Sequence, residues 1–121
     1  MAISRILVVD DSPTERFFLS ELLVKNGYLV SMAESGEEAV AQAKQTLPDL
    51  IVMDVVMPGM NGYQATRMIT KEDATKHIPV IMCTTKGQET DKVWAMRQGA
   101  KDYVTKPVDQ TELLNKIAAL G

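Results

Sequence analysis

Three aspartates and one lysine stand at the ends of short apolar runs in this chain; they are Asp10, Asp11, Asp54 and Lys106. If the runs are parallel strands, these ends meet at one rim of a sheet, where open α/β folds bind ligands. Crowded carboxylates oppose each other's ionisation, so a positive charge must compensate. A hard cation such as Mg²⁺ suits carboxylates with water and phosphate oxygens, and a lysine adds a point charge for phosphate. The four residues therefore predict a phosphoryl-handling site.

The elements that must position these residues follow from the hydrophobic pattern. Five strand-like runs alternate with five helix-like segments, which indicates βαβ units and a parallel sheet. The first, third and fourth runs are almost continuously apolar, as strands covered on both faces are, whereas the second and fifth are mixed and suit the edges. The predicted strands span residues 4–9, 28–33, 49–54, 79–84 and 101–105.

A strand order of 2-1-3-4-5 satisfies this pattern, keeps each crossover right-handed and places the topological switch point between strands 1 and 3. We therefore predict an α/β fold: a single-domain (βα)5 doubly wound sandwich, flavodoxin-like, with a five-stranded parallel sheet. It would occupy residues 1–121, with no output domain after the last helix.

Helix starts are marked by a capping residue followed three positions later by Glu or Gln. The pairs are Ser12/Glu15, Ser35/Glu38, Asn61/Gln64 and Asp109/Glu112, and Pro13 occupies a favoured first helical position. Apolar residues then recur at helical spacing, so we expect each helix to bury a stripe against the sheet. The expected stripes include Phe18, Leu19, Leu22 and Leu23 in the first helix, and Leu113, Leu114 and Ile117 in the last.

Composition narrows the class of partner. The 121 residues carry 13 basic and 16 acidic side chains, and this net charge of -3 argues against a nucleic acid or a membrane surface recognised by charge. The first apolar run is too short for a signal peptide or a membrane span, so we expect a cytoplasmic protein without membrane insertion. The single cysteine, Cys83, lies inside an apolar run and is predicted to be a core residue.

The ordered set of residues resembles the receiver domains of bacterial two-component systems. The matching residues are Asp10-Asp11, Asp54 followed by Met57-Pro58-Gly59, Thr84 at the end of strand 4, and Lys106-Pro107, so the resemblance covers the whole chain. It implies that Asp54 accepts a phosphoryl group from a histidine kinase. It also implies that Asp10, Asp11, Asp54 and the backbone carbonyl of Val56 hold Mg²⁺, with Mn²⁺ as the alternative ion, while Lys106 neutralises the phosphoryl oxygens.

The same resemblance implies a conformational switch. The Thr84 hydroxyl would turn toward the phosphoryl group, and Tyr103 would move inward, which changes the surface of helix 4, strand 5 and helix 5. It further implies a cis Lys106–Pro107 bond, an acyl-phosphate lifetime tuned at Val56 and Lys86, a downstream protein target and a monomeric chain.

A longer match narrows the resemblance to single-domain regulators of type IV pilus twitching motility. It includes Thr84–Lys86, Gln88–Trp94 and Lys106–Asp109, which is more than phosphoryl transfer requires. The implied role is a chemotaxis-like phosphorelay. A phosphate sink that drains a shared kinase without its own target is the alternative, and a constitutive module with a decayed site is disfavoured because the site residues are intact.

Enzymes on the same sheet are the competing class. A flavin carrier needs a hydroxyl- and glycine-rich loop after strand 1, and an aspartate-nucleophile phosphatase needs a second aspartate where this chain has Val56. We therefore expect no turnover of small substrates.

Several residues also have purely structural interpretations. Asp10-Asp11 alone would suit a solvated loop, Lys106 a surface charge and Thr84 a strand end. We expect a surface position for His77 and gap-filling in the core for the eight methionines, and Trp94 suits core packing and partner contact equally.

Overall fold

The computed structural model of the chain describes residues 3–85 and 89–121. Lys86 and Gln88, two residues of the predicted pilus resemblance, lie outside the described residues. The elements are β1 (Arg5–Val9), α1 (Pro13–Lys25), β2 (Leu29–Ala33), α2 (Gly36–Thr46), β3 (Leu50–Asp54), α3 (Gly62–Lys71), β4 (Val80–Thr84), α4 (Glu89–Arg97), β5 (Asp102–Thr105) and α5 (Gln110–Leu120). The strands form one parallel sheet in the order β2-β1-β3-β4-β5, so the predicted fold and strand order are confirmed.

Each strand begins one residue later than predicted, and the first strand shows why. The backbone N–H of Ser4 donates to the Asp49 carboxylate at 3.0 Å instead of to a neighbouring strand. The N–H of Arg5 donates to the same oxygen at 2.9 Å, and these two bonds lower the pKa of Asp49. The Asp49 side chain therefore takes up the backbone donors of Ser4 and of Arg5, the first residue of β1, at the entrance to the sheet.

Successive residues of the strands face opposite sides of the sheet and build two separate cores. On one side Leu7, Val9, Ile51, Met53 and Met82 pack with buried residues of α2, α3 and α4. On the other side the buried strand residues pack with α1 and α5; they are Ile6, Val8, Leu50, Val52, Ile81, Cys83 and Val104. β3 and β4 are buried throughout, whereas β2 and β5 are buried only in part. This difference confirms which strands were predicted at the centre of the sheet and which at its edges.

All four predicted capping residues cap helices. The side chains of Ser12, Ser35, Asn61 and Asp109 each accept from the backbone N–H three residues later. In the α3 cap the Gln64 side chain also accepts from the N–H of Asn61 at 2.9 Å, so this box is reciprocal. These bonds satisfy backbone donors that have no partner within the helix.

The buried stripe of α1 is narrower than predicted. Leu19, Leu22 and Leu23 are buried, but Phe18 is 39% exposed, so its assignment to the core was wrong. Phe18 lies on the flank of the stripe, where the helix surface turns from the sheet toward solvent.

The predictions for single residues are confirmed in part. Cys83 is buried, and burial raises the pKa of its thiol to about 12, while His77 is exposed; both placements are confirmed. Core filling by methionine is correct for Met53, Met57 and Met82 but wrong for three exposed methionines, Met32, Met68 and Met96. Within the described residues, no helix has the length and apolar character to cross a membrane.

Candidate functional site

The three aspartates converge at the rim where β1 and β3 end. β1 and β3 are paired in parallel, with Val9 opposite Met53, so the residues that follow both strands emerge side by side. Asp10 and Asp54 are 1% and 3% exposed, while Asp11 is open to solvent. One carboxylate oxygen from each aspartate lies within 4.8 Å of the others. The predicted cluster therefore forms, and the interpretation of Asp10 and Asp11 as a solvated loop holds for Asp11 alone.

Lys106 reaches the same cluster from the end of β5. Its Nζ donates to Asp54 Oδ1 at 2.8 Å and to Asp10 Oδ2 at 3.1 Å, and its side chain is largely buried. The backbone N–H of Lys106 donates to the Thr84 carbonyl at 2.7 Å, and the Lys106–Pro107 bond is cis, as predicted. Lys106 is therefore a site residue, and its interpretation as a surface charge is wrong.

Burial and charge act in opposite directions on this cluster. Burial raises the pKa of Asp54; the hydrogen bond from Lys106 lowers it, but the nearby Asp10 carboxylate adds to the upward shift. For Lys106, burial alone would lower the pKa, but hydrogen bonds to Asp54 and Asp10 outweigh it and the pKa is raised. Lys106 therefore remains a cation, and the site holds more negative charge than one lysine neutralises.

Replacing Asp54 by Asn should stabilise the protein in a pH-dependent manner. The pKa of Asp54 in the folded state lies above its ordinary value of 3.8. As pH rises from this ordinary pKa to the folded-state pKa, ionisation of Asp54 therefore lowers the free energy of unfolding. Asp54→Asn removes this penalty, while Lys106 keeps its bond to Asp10. We expect the free energy of unfolding to rise by on the order of 1 kcal/mol at neutral pH.

Denaturant unfolding of both proteins across the acidic range tests this prediction. The difference between variant and wild type should shrink as pH falls below the ordinary Asp value, where the carboxyl group is neutral in both states. A variant that is less stable at neutral pH would contradict it.

The N-cap residue of α1 and a residue of its first turn hold Asp10 in place, and neither of these contacts was predicted. The backbone N–H of Ser12 donates to Asp10 Oδ1 at 2.9 Å, and Arg16 Nη1 donates to the Asp10 carbonyl at 2.7 Å. Ser12 was predicted only as a helix cap. The spacing of Arg16 from Asp10 is the one available signal, because an arginine at the start of a helix can reach back to the preceding loop.

Gly62 supports Asp54 from the other side and was also missed. Its N–H donates to the Val55 carbonyl at 2.8 Å, and a Cβ added to Gly62 would lie 2.0 Å from the Asp54 carbonyl oxygen. No side chain fits this contact. Because the first turn of α3 rests directly on the Asp54 backbone, Gly62 is a positioning residue for the site.

Thr84 and Tyr103 lie beside the cluster on neighbouring strands. Thr84 is buried, and its hydroxyl donates to the Val104 carbonyl at 3.5 Å. The Tyr103 ring is partly buried, with the Nζ atoms of Lys92 and Lys116 at 5.2 and 4.8 Å from its centroid. Thr84 is paired with Thr105 and Tyr103 with Met82, so the two predicted switch residues are diagonal neighbours across β4 and β5, with the tyrosine between α4 and α5.

Trp94 and Val56 extend from the surface near these elements. Trp94 is 47% exposed and its ring meets that of Tyr63 edge to face, with centroids 6.2 Å apart. This exposure favours partner contact over core packing. The side chain of Val56 is also exposed, which is compatible with a role confined to its backbone carbonyl.

Comparison with known proteins gives the family. The model of the response regulator receiver domain matches residues 6–118. The chain belongs to this family. This receiver is therefore a domain of two-component signalling.

The similarity extends over nearly the full length of single-domain relatives. The receiver is 58% identical to Protein PilH of Pseudomonas aeruginosa and 41% identical to chemotaxis protein CheY of Bacillus subtilis, over 97% and 93% of each pair of chains. Its structure matches the receiver domain of sensor histidine kinase PA1611 from Pseudomonas aeruginosa with a TM-score of 0.90, 30% identity and 98% coverage of both chains. That structure has a magnesium ion coordinated in the active-site cleft.

Proposed function

We propose that this receiver accepts a phosphoryl group on Asp54 from the phosphohistidine of a histidine kinase, in a reaction that requires Mg²⁺. The observation that carries this proposal is the double hydrogen bond of Lys106 to Asp54 and Asp10, which joins a buried nucleophile to a fixed positive charge. The protein would then act as a phosphoacceptor that assists its own phosphorylation and dephosphorylation, and not as a turnover enzyme.

The donor set fits a magnesium ion. Mg²⁺ binds oxygen ligands and usually uses one or two carboxylates together with water and phosphate. Asp10, Asp11 and Asp54 offer such oxygens, and the Val56 carbonyl would complete the protein ligands. When bound, the ion supplies positive charge for the phosphoryl oxygens. Its binding would also neutralise the negative charge that Lys106 leaves uncompensated.

The residues of the chain provide the remaining chemistry. A carboxylate oxygen of Asp54 attacks phosphorus, the bond from phosphorus to the imidazole nitrogen breaks, and its electron pair stays on the imidazole. Lys106 holds the nucleophile in place and balances charge on the phosphoryl oxygens. Ser12 holds the Asp10 carboxylate, and Arg16 and Gly62 hold the backbones of Asp10 and Asp54, so the reaction proceeds by positioning and needs no general base.

The direct test is incubation with a small phosphodonor, acetyl phosphate or phosphoramidate, followed by intact mass measurement. One phosphoryl group should be added with Mg²⁺ present and none in EDTA. Addition that proceeds equally in EDTA would overturn the magnesium requirement.

Magnesium should also stabilise the unphosphorylated protein. A ligand that binds only the folded state at 100 times its Kd adds about 2.7 kcal/mol to the free energy of unfolding. Asp11→Ala should erase this gain because it removes the most accessible of the three carboxylates. Thermal unfolding with and without Mg²⁺ measures it.

Asp73→Ala is the matched control for this experiment. Asp73 is an exposed carboxylate that pairs with Lys76, away from the cluster, so its loss should leave the magnesium gain intact. Equal gains in wild type and Asp11→Ala would remove Asp11 from the metal site.

The output would pass through the surface of α4, β5 and α5. The phosphorylated carboxylate would bind the Thr84 hydroxyl in one of two packings, with Tyr103 following inward between the two lysines. The 58% identity to PilH supports a role in a type IV pilus phosphorelay, with a kinase and a downstream protein as partners. The test is the twitching motility of a deletion strain on a surface, measured after the wild-type gene or the Asp54→Asn gene is restored.

A further inference from the structure

A second site candidate lies between α3 and α4, away from the aspartate cluster. A cavity of ≈ 590 Å³ opens there, within the size range of small-molecule sites. We call it the α3–α4 cavity. Its lining includes Arg67 and Lys71 of α3, Trp94 and Arg97 of α4, and Thr70 and Gln98 beneath them.

The charge of the α3–α4 cavity is opposite to that of the whole protein. The chain has a net charge of -3, yet the described residues that line the cavity include three cations and no carboxylate. Across the part of the chain that the structure describes, Arg67, Lys71 and Arg97 form no ion pair, whereas Lys44, Lys76 and Lys116 do. Concentrated, unpaired positive charge of this kind attracts a polyanion.

Gln98 contributes a polar side chain to the wall of the cavity. It is only 8% exposed, and its side-chain amide makes no hydrogen bond to any described residue. Among the described residues, the Gln98 amide is not one of the fully buried polar groups without a partner, so it opens onto the cavity and is available to a ligand. The Thr70 hydroxyl lies 2.9 Å from the Thr66 carbonyl and 3.1 Å from the Gln98 backbone carbonyl, which places the backbone of Gln98 against α3.

The wall of the cavity also offers an aromatic surface on a rigid support. Trp94 is half-exposed, and its edge-to-face contact with Tyr63 restrains the ring. Gly99 has φ +101 and packs closely on Thr70. A Cβ added to Gly99 would lie 2.7 Å from the Thr70 hydroxyl. The turn after α4 is therefore fixed against α3, and the cavity is preformed.

We propose that the α3–α4 cavity binds a nucleotide, with its base stacked on Trp94 and its phosphates paired with Arg67, Lys71 and Arg97. Stacking on an aromatic ring and pairing of phosphate with cations are the two interactions that such a ligand requires. The Gln98 amide would bond a polar edge of the base or sugar. An acidic peptide would satisfy the three cations but would use neither the ring nor the concave shape.

Trp94 is the single tryptophan of the chain, so its fluorescence reports directly on this cavity. The wild-type protein is titrated with ATP, with adenosine and with inorganic tripolyphosphate, in EDTA so that no magnesium nucleotide can bind at the aspartate cluster. We expect saturable quenching by ATP and an affinity for ATP about tenfold above that for adenosine or tripolyphosphate. A glutamate oligopeptide serves as the fourth ligand.

Lys71→Gln and Lys76→Gln are a matched pair, because both remove one exposed lysine charge and only Lys71 lines the cavity. Lys71→Gln should weaken ATP binding about fivefold, and Lys76→Gln should leave it unchanged. Gln98→Leu should weaken ATP and adenosine binding alike, and tripolyphosphate binding little. Circular dichroism checks that each variant is folded.

Three results would overturn the proposal. They are no saturable change with ATP, equal loss in Lys71→Gln and Lys76→Gln, and tighter binding of the glutamate oligopeptide than of ATP. None of these measurements uses phosphorylation of Asp54, so the outcome is independent of the proposed phosphoacceptor function.

Discussion

Asp54→Asn is expected to reduce phosphoryl incorporation from a small phosphodonor more than about 100-fold, below detection by intact mass. An amide oxygen is a poor nucleophile, and the substitution also removes one charge from the cluster that would bind magnesium. The fold should survive, because Asn retains the shape of the side chain and Lys106 retains Asp10 as a partner. Loss of phosphorylation together with gain of stability would distinguish a missing nucleophile from a damaged protein.

Asp73→Asn is the control for that measurement, since it makes the same chemical change at an exposed position outside the cluster. It should incorporate phosphoryl as the wild type does. Phosphorylation of Asp54→Asn at the wild-type rate would place the acceptor elsewhere, and peptide mapping of the labelled variant would locate it.

Gly62→Ala is expected to destabilise the protein by about 3 kcal/mol, at the upper end of the usual cost of overpacking. The added Cβ would lie 2.0 Å from the Asp54 carbonyl oxygen, and backbone on both sides must move to relieve this contact. Alanine is otherwise favourable in a helix, so the cost is purely steric. Because the displaced backbone belongs to Asp54, the rate of phosphorylation should fall as well.

Gly27→Ala provides the comparison by denaturant unfolding. Gly27 has φ +91 and nothing within 4 Å of an added Cβ, so its substitution should cost about 1–2 kcal/mol of backbone strain and no steric contact. Its phosphorylation rate should match the wild type. A Gly62→Ala protein as stable as wild type would show that the α3 turn moves freely and does not position Asp54.

Sequence was sufficient for the parts of the fold that depend on local patterns. Continuous apolar runs identify β1, β3 and β4 because both faces of these strands are buried, and the capping pairs identify helix starts because the bonds span three residues. Once the sheet order is known, the positions of Asp10, Asp54 and Lys106 follow, since parallel strands end at one rim.

Features that depend on how elements pack together were beyond prediction. The contact of Gly62 with Asp54 arises where the first turn of α3 meets the end of β3, and no periodicity in the sequence encodes that distance. The exposure of Phe18 depends on where the edge of the α1 stripe falls. The α3–α4 cavity joins residues from two helices and a turn, and each of them taken alone resembles an ordinary surface residue.

The position of Cys83 makes its thiol a natural probe of local opening of the sheet. The thiol sits on β4 directly opposite Asp54, buried and with its pKa raised to about 12, so a thiol reagent can reach it only when the centre of the sheet opens. The labelling rate under native conditions consequently reports the free energy of that opening beside the nucleophile. Since the chain has no other cysteine, the unmodified protein can be used, and any ligand that tightens the sheet would register as slower labelling.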